Sequence, residues 1–261
     1  MSRHVVGKLA AARALCATEA LGPRWDAYFR GEYVALLSLG VRPPLLEGWE
    51  RFLATPDKRE DVERLIARAL ARPPSEMDTH PPLSERLAAL GLDDPPPPSR
   101  EARALRLLAD SVQAERDAIG IVLLPTAPPL RSVGWDEIGM EVWLPAWRKQ
   151  LAPLAATTGR WGLDDLPRVL GDPGAWSSLD QGISISSADA RRRRIAALLG
   201  LWLTVWLADR GASIDVPPGG DAIARRAGHC FSPERRVRDL ARGAIDGPTL
   251  VSEVQAFLVD A

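Results

Sequence analysis

The sequence has few of the residues that most often carry chemistry. Its 261 residues include two cysteines and three histidines. Cys16 and Cys230 lie far apart and form no C-x-x-C motif, so we expect free thiols in a reducing compartment and no disulfide framework. His4, His80 and His229 show no H-E-x-x-H spacing, which argues against a zinc hydrolase site. The G-x-S-x-G, P-loop and G-x-G-x-x-G motifs are also absent, so we predict no catalytic residue, no metal ligand and no bound cofactor in this chain.

The sequence also lacks an excess of one charge and a long apolar run. It contains 33 basic and 34 acidic residues, a balance that argues against a nucleic-acid-binding protein. Its longest apolar run, residues 195–208, would span roughly 21 Å as a helix, less than the roughly 30 Å of a bilayer core. The arginines at 191–194 resemble the flank of a membrane span, but the short run favours a buried helix. With no secretory signal at the N-terminus, we expect a soluble, cytoplasmic chain without a membrane span.

Helical patterning dominates what is present. Apolar residues recur at three- and four-residue intervals, and Gly or Pro ends most of the periodic stretches. The first predicted helix closes near Gly22 and Pro23. Further helices are predicted over residues 25–39, 46–53, 57–71, 101–110, 137–151, 164–170, 188–209, 233–243 and 246–257.

One proline-rich segment and one β signal organise these helices. Four successive prolines within residues 93–99 predict a stiff linker between a helical segment, 1–92, and a C-terminal helical domain, 100–261. The sequence A-S-I-D-V, then P-P-G-G, then D-A-I-A-R-R predicts a β-hairpin at about 212–226. We therefore predict a mainly α fold, a multi-helix bundle-like array with one small β-hairpin near the C-terminus.

The stretch D-T-H-P-P-L-S-E-R-L-A-A-L-G, residues 78–91, is the most specific local pattern. Pro81 disfavours the α region for His80, so the histidine should be extended on the approach to a helix. Arg86 then lies in an early turn of that helix, and Leu87 and Leu90 face a core. A proline-capped helix with a solvated arginine and an incidental histidine is the plainer interpretation of these residues.

The segment T-H-P-P-L-S-E-R-L closely resembles the T/S-H-P-P-x-x-x-R-L segment near the end of membrane zinc metallopeptidases of the HtpX and CAAX-prenyl-protease class. The run F-R-G-E-Y-V-A-L-L-S-L-G-V-R-P-P and the charged helix after it fit the same family, so the resemblance covers about residues 5–92 and is looser beyond. In that family H-E-x-x-H supplies two zinc ligands and the general base, and a later helix supplies a glutamate ligand. Both lie upstream of the matched region.

The resemblance implies a position for two residues and an inactive chain. His80 and Arg86 would border the catalytic cleft of a complete enzyme, the histidine as a polar or oxyanion contact and the arginine as an ion-pair anchor. All three zinc ligands and the membrane helices would lie outside this chain, which would begin just after the last ligand. The chain alone is therefore expected to be inactive and to bind no zinc.

Two functions remain open from the sequence. The first is the C-terminal, non-catalytic portion of a zinc metallopeptidase-like protein, placed at the inner face of the membrane if it belongs to a longer protein. The second is a stand-alone soluble helical protein-interaction module without enzymatic activity; a soluble enzyme of unrelated chemistry has no motif to support it. A chain that lost its catalytic neighbours would leave Val5, Val6, Leu9 and Leu15 partly exposed, which predicts a protein partner or self-association through the N-terminal helix.

Overall fold

The chain divides into two compact units in the computed structural model. The N-terminal unit comprises Met1–Ser132 and the C-terminal unit comprises Val133–Ala261. The structure describes residues 7–74, 80–92, 94–96, 110–122, 128–176, 179 and 187–259.

The N-terminal unit is an array of helices with one pair of two-residue strands. Strand β1 pairs with β2 in parallel, and helix α4 packs against α1, α3 and α5. Its elements are α1 (Lys8–Tyr28), α2 (Val34–Ser38), β1 (Val41–Arg42), α3 (Leu45–Ala54), α4 (Pro56–Ala71), α5 (Leu83–Ala89), α6 (Ser111–Val122) and β2 (Arg131–Ser132).

The first two predicted helices are one continuous helical segment. Helix α1 runs through Pro23, and a π-helical turn follows over Phe29–Tyr33. Helix α2 then continues to the predicted end before Gly40. The φ of Gly40 is 78°, in the left-handed region that favours glycine after a helix. The predicted end near Gly22 and Pro23 is therefore wrong. An internal proline costs about 3 kcal/mol, and the buried aromatic residues that follow it supply tertiary packing that offsets this cost.

Two buried tyrosines supply much of that packing. The Tyr28 hydroxyl donates to the carbonyl of Leu45 at 2.7 Å and the Tyr33 hydroxyl donates to the carbonyl of Pro43 at 2.8 Å. Burial raises the pKa of both phenols well above the ordinary value. The two hydroxyls therefore stay protonated and fix the segment before α3 against the long helix. The rings of four further aromatic residues pack around them in tilted, edge-on and stacked arrangements: Trp25, Phe29, Trp49 and Phe52.

The C-terminal unit combines helices with a three-stranded sheet. A π-helical turn, Gly139–Trp143, precedes α7, and a short 3₁₀ turn, Ala152–Leu154, follows it. The remaining elements are α7 (Leu144–Leu151), α8 (Ala155–Thr158), α9 (Asp165–Gly171), α10 (Pro173–Trp176), α11 (Ala188–Ala208), β3 (Ser213–Asp215), β4 (Ile223–Arg226), β5 (His229–Phe231), α12 (Pro233–Ala241) and α13 (Gly247–Val259).

Helix α11 forms the centre of this unit's core. It carries the predicted apolar run, and Leu199, Leu203 and Leu207 on it are fully buried. The Ser187 hydroxyl accepts from the N–H of Ala190 as the expected N-cap. Gly200 lets α12 approach closely, because a Cβ at this position would lie 2.9 Å from the Cα of Glu234. Within the described part of the chain, no helix combines the length and apolar character needed to cross a membrane.

The predicted hairpin is present as β3 and β4, with Ile214 opposite Ala224. A third antiparallel strand, β5, extends it, with Ala224 opposite Phe231. This strand follows a two-residue turn in which Ala227 and Gly228 both have positive φ, 44° and 89°. Such turns favour Asn-Gly or Asp-Gly, so Ala-Gly gives little signal in the sequence. The mainly α fold with a small sheet near the C-terminus is confirmed.

The division between the units falls later in the chain than the predicted linker at 93–99. The Glu115 carboxylate on α6 accepts from the backbone N–H groups of Leu45 and Leu46 at 3.0 and 3.1 Å, and β2 pairs with β1. Residues 110–122 and 131–132 therefore belong with the N-terminal unit rather than with the predicted domain at 100–261. Of the linker only residues 94–96 are described, and the predicted helix at 101–110 lies outside the described residues except for Asp110.

Candidate functional site

His80 and Arg86 lie at and just after the start of α5, in the N-terminal unit. Pro82 precedes the helix with extended backbone angles, φ −54° and ψ 156°, and its carbonyl accepts from the N–H of Arg86 at 3.1 Å. His80 is exposed and Arg86 is half-buried. The predicted proline-led start of the helix is present, while Asp78 and Thr79 lie outside the described residues.

His80 and Arg86 line one pocket of about 280 Å³. The pocket lies where α5 meets α1 and α4, so residues far apart in the sequence meet there. The other described residues that line it are Glu19, Ala69, Arg72, Pro81, Pro82 and Leu83.

Glu19 on α1 is the ionic partner of Arg86. The Nη1 nitrogen of Arg86 lies 3.1 Å from Oε1 of Glu19. The side chain of Arg86 is 27% exposed and that of Glu19 is 34% exposed. A pair this accessible to water is worth roughly 0–1 kcal/mol. Glu19 could not be identified from the sequence, because 67 residues separate the partners and no local pattern indicates such a contact.

A small apolar cluster lies beneath this pocket. Its buried members are Ala12, Cys16, Leu83 and Leu87, so Leu87 faces a core as predicted. Burial raises the pKa of the Cys16 thiol, which keeps the sulfur protonated and poorly nucleophilic. Cys16 is therefore a packing residue.

A second pocket, of about 220 Å³, lies further along α1 and α4. Three arginines line it: Arg24 from α1, which is buried, and Arg64 and Arg68 from α4. Pro23, Ala27, Phe52 and Leu65 supply the apolar part of its wall. None of the described residues that line this pocket is acidic.

The histidines and cysteines of the described segments are not gathered into a metal site. Across those segments no group of three or more His, Cys, Asp or Glu residues is arranged to hold a metal ion. His229 is exposed on β5 in the C-terminal unit, and His4 lies outside the described residues. Cys16 and Cys230 are both free thiols, as predicted. Cys230 is exposed, and its sulfur accepts from Nη1 of Arg225 at 3.0 Å.

The predicted partner surface on the first helix is described only in part. Leu9 is 49% exposed, whereas Leu15 is half-buried against the cluster that contains Leu87. Val5 and Val6 lie outside the described residues. Of the two predicted residues that the structure describes, Leu9 is therefore the more accessible, and a single exposed leucine does not make an interface.

Comparison with known proteins identified no relative of this chain. No family model matches the chain, and neither a curated protein nor a solved structure matches it. The resemblance to zinc metallopeptidases stays a prediction carried by the residues of T-H-P-P-L-S-E-R-L. The candidate site of this chain is accordingly defined by the two pockets of the N-terminal unit.

Proposed function

We propose that this chain is the C-terminal, non-catalytic portion of a zinc metallopeptidase-like protein. Proteolysis would then require a zinc-binding half that carries H-E-x-x-H on other residues. The observation that carries the proposal is that His80 and Arg86, the two polar residues singled out by the motif, line the same pocket.

The surroundings of the two residues fit the different roles that the resemblance implies. Glu19 holds the guanidinium of Arg86 against α1, as expected of an anchor that keeps the start of α5 in place. His80 is exposed on the other side of the two prolines. A neutral imidazole is both a hydrogen-bond donor and an acceptor, so an exposed one suits contact with a peptide or with an adjoining polypeptide.

The pocket itself does not fit a zinc ion. Its described polar side chains are one histidine, one glutamate and two arginines, and the glutamate already pairs with Arg86. Zinc in proteins is typically held by three or four His, Cys, Asp or Glu ligands, and two guanidinium groups repel a divalent cation. In this proposal the metal is therefore held by the other half, and no chemical step is assigned to this chain.

The proposal places the chain on the cytoplasmic side, at the inner face of the membrane when it is joined to a membrane-bound catalytic half. Its first test is the DNA upstream of the codon for Met1. We expect an in-frame or neighbouring reading frame that encodes H-E-x-x-H and a later glutamate-bearing helix. Co-expression of that polypeptide with this chain should give a complex that survives gel filtration.

A different outcome would favour the stand-alone interaction module. It would consist of upstream DNA that encodes no zinc-binding motif, together with a chain that sediments as a monodisperse monomer and binds little hydrophobic dye. The proposal of a non-catalytic portion would then be wrong, because a portion of a larger fold needs the surface that the missing half covers.

A further inference from the structure

One backbone N–H of the sheet in the C-terminal unit donates to a methionine sulfur. The N–H of Ile214, on β3, donates to Sδ of Met140, and the nitrogen and the sulfur are 3.1 Å apart. Met140 belongs to the π-helical turn Gly139–Trp143, and it is 41% exposed. The two residues are 74 positions apart in the sequence, so the fold and not a local pattern brings them together.

This contact lies at the outer edge of the sheet. The strand order is β3-β4-β5, so β4 lies on one side of β3 and the π-helical turn lies on the other. Alternate residues of an antiparallel strand direct their N–H and C=O groups away from the partner strand. Ile214 is such a residue, because its N–H donates to the turn although the residue lies opposite Ala224 on β4.

The turn covers this edge at close range. A Cβ placed on Gly139 would lie 2.0 Å from the carbonyl oxygen of Ile214 and 2.8 Å from its carbonyl carbon, so only glycine lets the turn touch the strand here. Gly139 is buried against the carbonyl of Ile214, and the exposed Met140 holds its N–H. The edge of a sheet can pair with another chain unless it is covered, and this turn supplies the cover.

A thioether in this position is open to one specific reaction. Hydrogen peroxide transfers an oxygen atom to a lone pair of the sulfur, and its O–O bond breaks as the S–O bond forms. The proton of the transferred hydroxyl passes to the departing oxygen, so water leaves and the sulfur is oxidised by two electrons. The product, methionine sulfoxide, is polar and chiral, and methionine sulfoxide reductases return it to the thioether.

Oxidation changes the contact with Ile214 whichever lone pair reacts. An N–H···O bond is about 2.7–3.2 Å long, and the nitrogen of Ile214 already lies 3.1 Å from the sulfur. An oxygen added towards the N–H therefore forces the sulfur away from the strand. An oxygen added on the opposite side draws electron density from the sulfur, which is a weak acceptor even as a thioether. In both cases the N–H of Ile214 loses the sulfur as its acceptor.

We propose that Met140 is a site of reversible oxidation by peroxides, and that its sulfoxide releases the π-helical turn from the outer edge of β3. Reduction of the sulfoxide restores the cover. The released edge presents backbone groups of Ile214 with which another strand can pair, so the modification controls access to this edge. The inference requires no zinc-binding half, so it holds or fails separately from the proposed function.

The chain offers matched variants, because its three methionines are Met1, Met77 and Met140. Met140→Leu keeps a side chain of similar size and removes the sulfur, and Met77→Leu is the control that retains Met140. The parent chain and both variants are treated with dilute hydrogen peroxide at full length. Peptide mass spectrometry reports the oxygen gained at each methionine. Hydrogen exchange followed by NMR, with isotope-labelled isoleucine, reports the amide of Ile214. The cysteines are the same in all three chains, so any effect of thiol oxidation is shared.

We expect peroxide to speed exchange of the Ile214 amide at least about tenfold in the parent chain and in Met77→Leu, because the amide loses its hydrogen bond. A methionine sulfoxide reductase should restore the original rate. In Met140→Leu the amide should exchange faster from the outset, and peroxide should change its rate by less than about twofold. The amide of Ile195, fully buried in α11, should keep its rate in every sample. Circular dichroism checks that both variants keep the helical content of the parent chain.

Three results would overturn the proposal. Conversion of Met140 to the sulfoxide with an unchanged rate for Ile214 would show that the sulfur does not protect this N–H. An equal acceleration by peroxide in Met140→Leu, or an equal acceleration at Ile195, would assign the effect to another residue or to general unfolding. A Met140 that stays unmodified while Met77 in the same chain is oxidised would show that peroxide does not reach the sulfur.

Discussion

The two units of the chain arrange their cores differently. In the C-terminal unit one cluster of buried residues surrounds helix α11 and continues into the sheet and the last two helices. Among the described residues of the N-terminal unit, the buried side chains form an aromatic group around Tyr28 and a smaller aliphatic cluster around Leu87. Both described pockets lie along α1 and α4, two helices of this unit.

From this difference we propose a division of the chain into a structural and a functional part. The ion pairs of the C-terminal unit, such as Arg236 with Glu253 and Arg148 with Asp209, join elements at the periphery of a closed core. In the N-terminal unit Arg68, His80 and Arg86 instead line spaces between helices. Such spaces leave room for a ligand, and we expect function to reside in the N-terminal unit and stability chiefly in the C-terminal one.

Leu203→Ala and Leu87→Ala compare the two cores, and the first should have the largest effect. Leu203 is fully buried at the centre of α11, so its truncation should cost about 3–5 kcal/mol. Leu87 is also buried but belongs to a small cluster beside a pocket, so its loss should cost about 2–3 kcal/mol. Urea denaturation followed by circular dichroism measures both. An equal or larger cost for Leu87 would contradict the difference between the cores.

Tyr33→Phe tests the aromatic half of the N-terminal core. The change removes the hydroxyl that donates to the carbonyl of Pro43 and leaves that oxygen without its donor, at a cost of about 1–2 kcal/mol. Because the lost contact lies in the core of the N-terminal unit, the midpoint of urea unfolding followed by circular dichroism should fall. Tyr28→Phe, which removes the equivalent bond to Leu45, is the matched variant. Unchanged stability in both would show that the hydroxyls do not hold the segment before α3.

Some of these features could be predicted from the sequence and others could not. Helix α11 was predicted almost to its ends, because the Ser187 N-cap and the apolar run are local signals. The passage of α1 through Pro23 was missed, because it depends on tertiary packing by tyrosines further along the chain. The same limit applies to the site: the pattern around His80 predicted the start of α5, but the partner of Arg86 is Glu19, 67 residues away.

Glu234→Gln tests how the stability of the C-terminal unit depends on pH. Burial and the nearby Asp221 raise the pKa of Glu234, although Arg238 opposes them. A raised pKa in the folded state means that the contribution of Glu234 to stability is complete below its ordinary value near 4.5 and is lost as the pH rises through the raised value. Gln does not ionise, so the free energy of unfolding of the variant should fall less above that pH than that of the parent chain. Urea titrations at several pH values measure this difference. A steeper fall in the variant would contradict this assignment.

His80→Ala should have the smallest effect on stability. An exposed residue outside the core should change the free energy of unfolding by about 0.5 kcal/mol or less, and Arg86→Ala should cost roughly 0–1 kcal/mol through the lost pair with Glu19. Leu90→Ala should lower the free energy of unfolding less than Leu87→Ala does, because Leu90 is only half-buried. A loss at His80 as large as that at Leu87 would make the histidine a structural residue and remove the basis for its role in a cleft.

The most direct test of the proposed function is casein cleavage by the chain alone, by the polypeptide that carries H-E-x-x-H, and by the two together. We expect that neither polypeptide cleaves casein alone, that the complex does, and that His80→Ala lowers cleavage while the zinc content of the complex stays unchanged. Metal analysis that finds about one tightly held zinc in this chain by itself, or cleavage by the other polypeptide that does not depend on this chain, would contradict it.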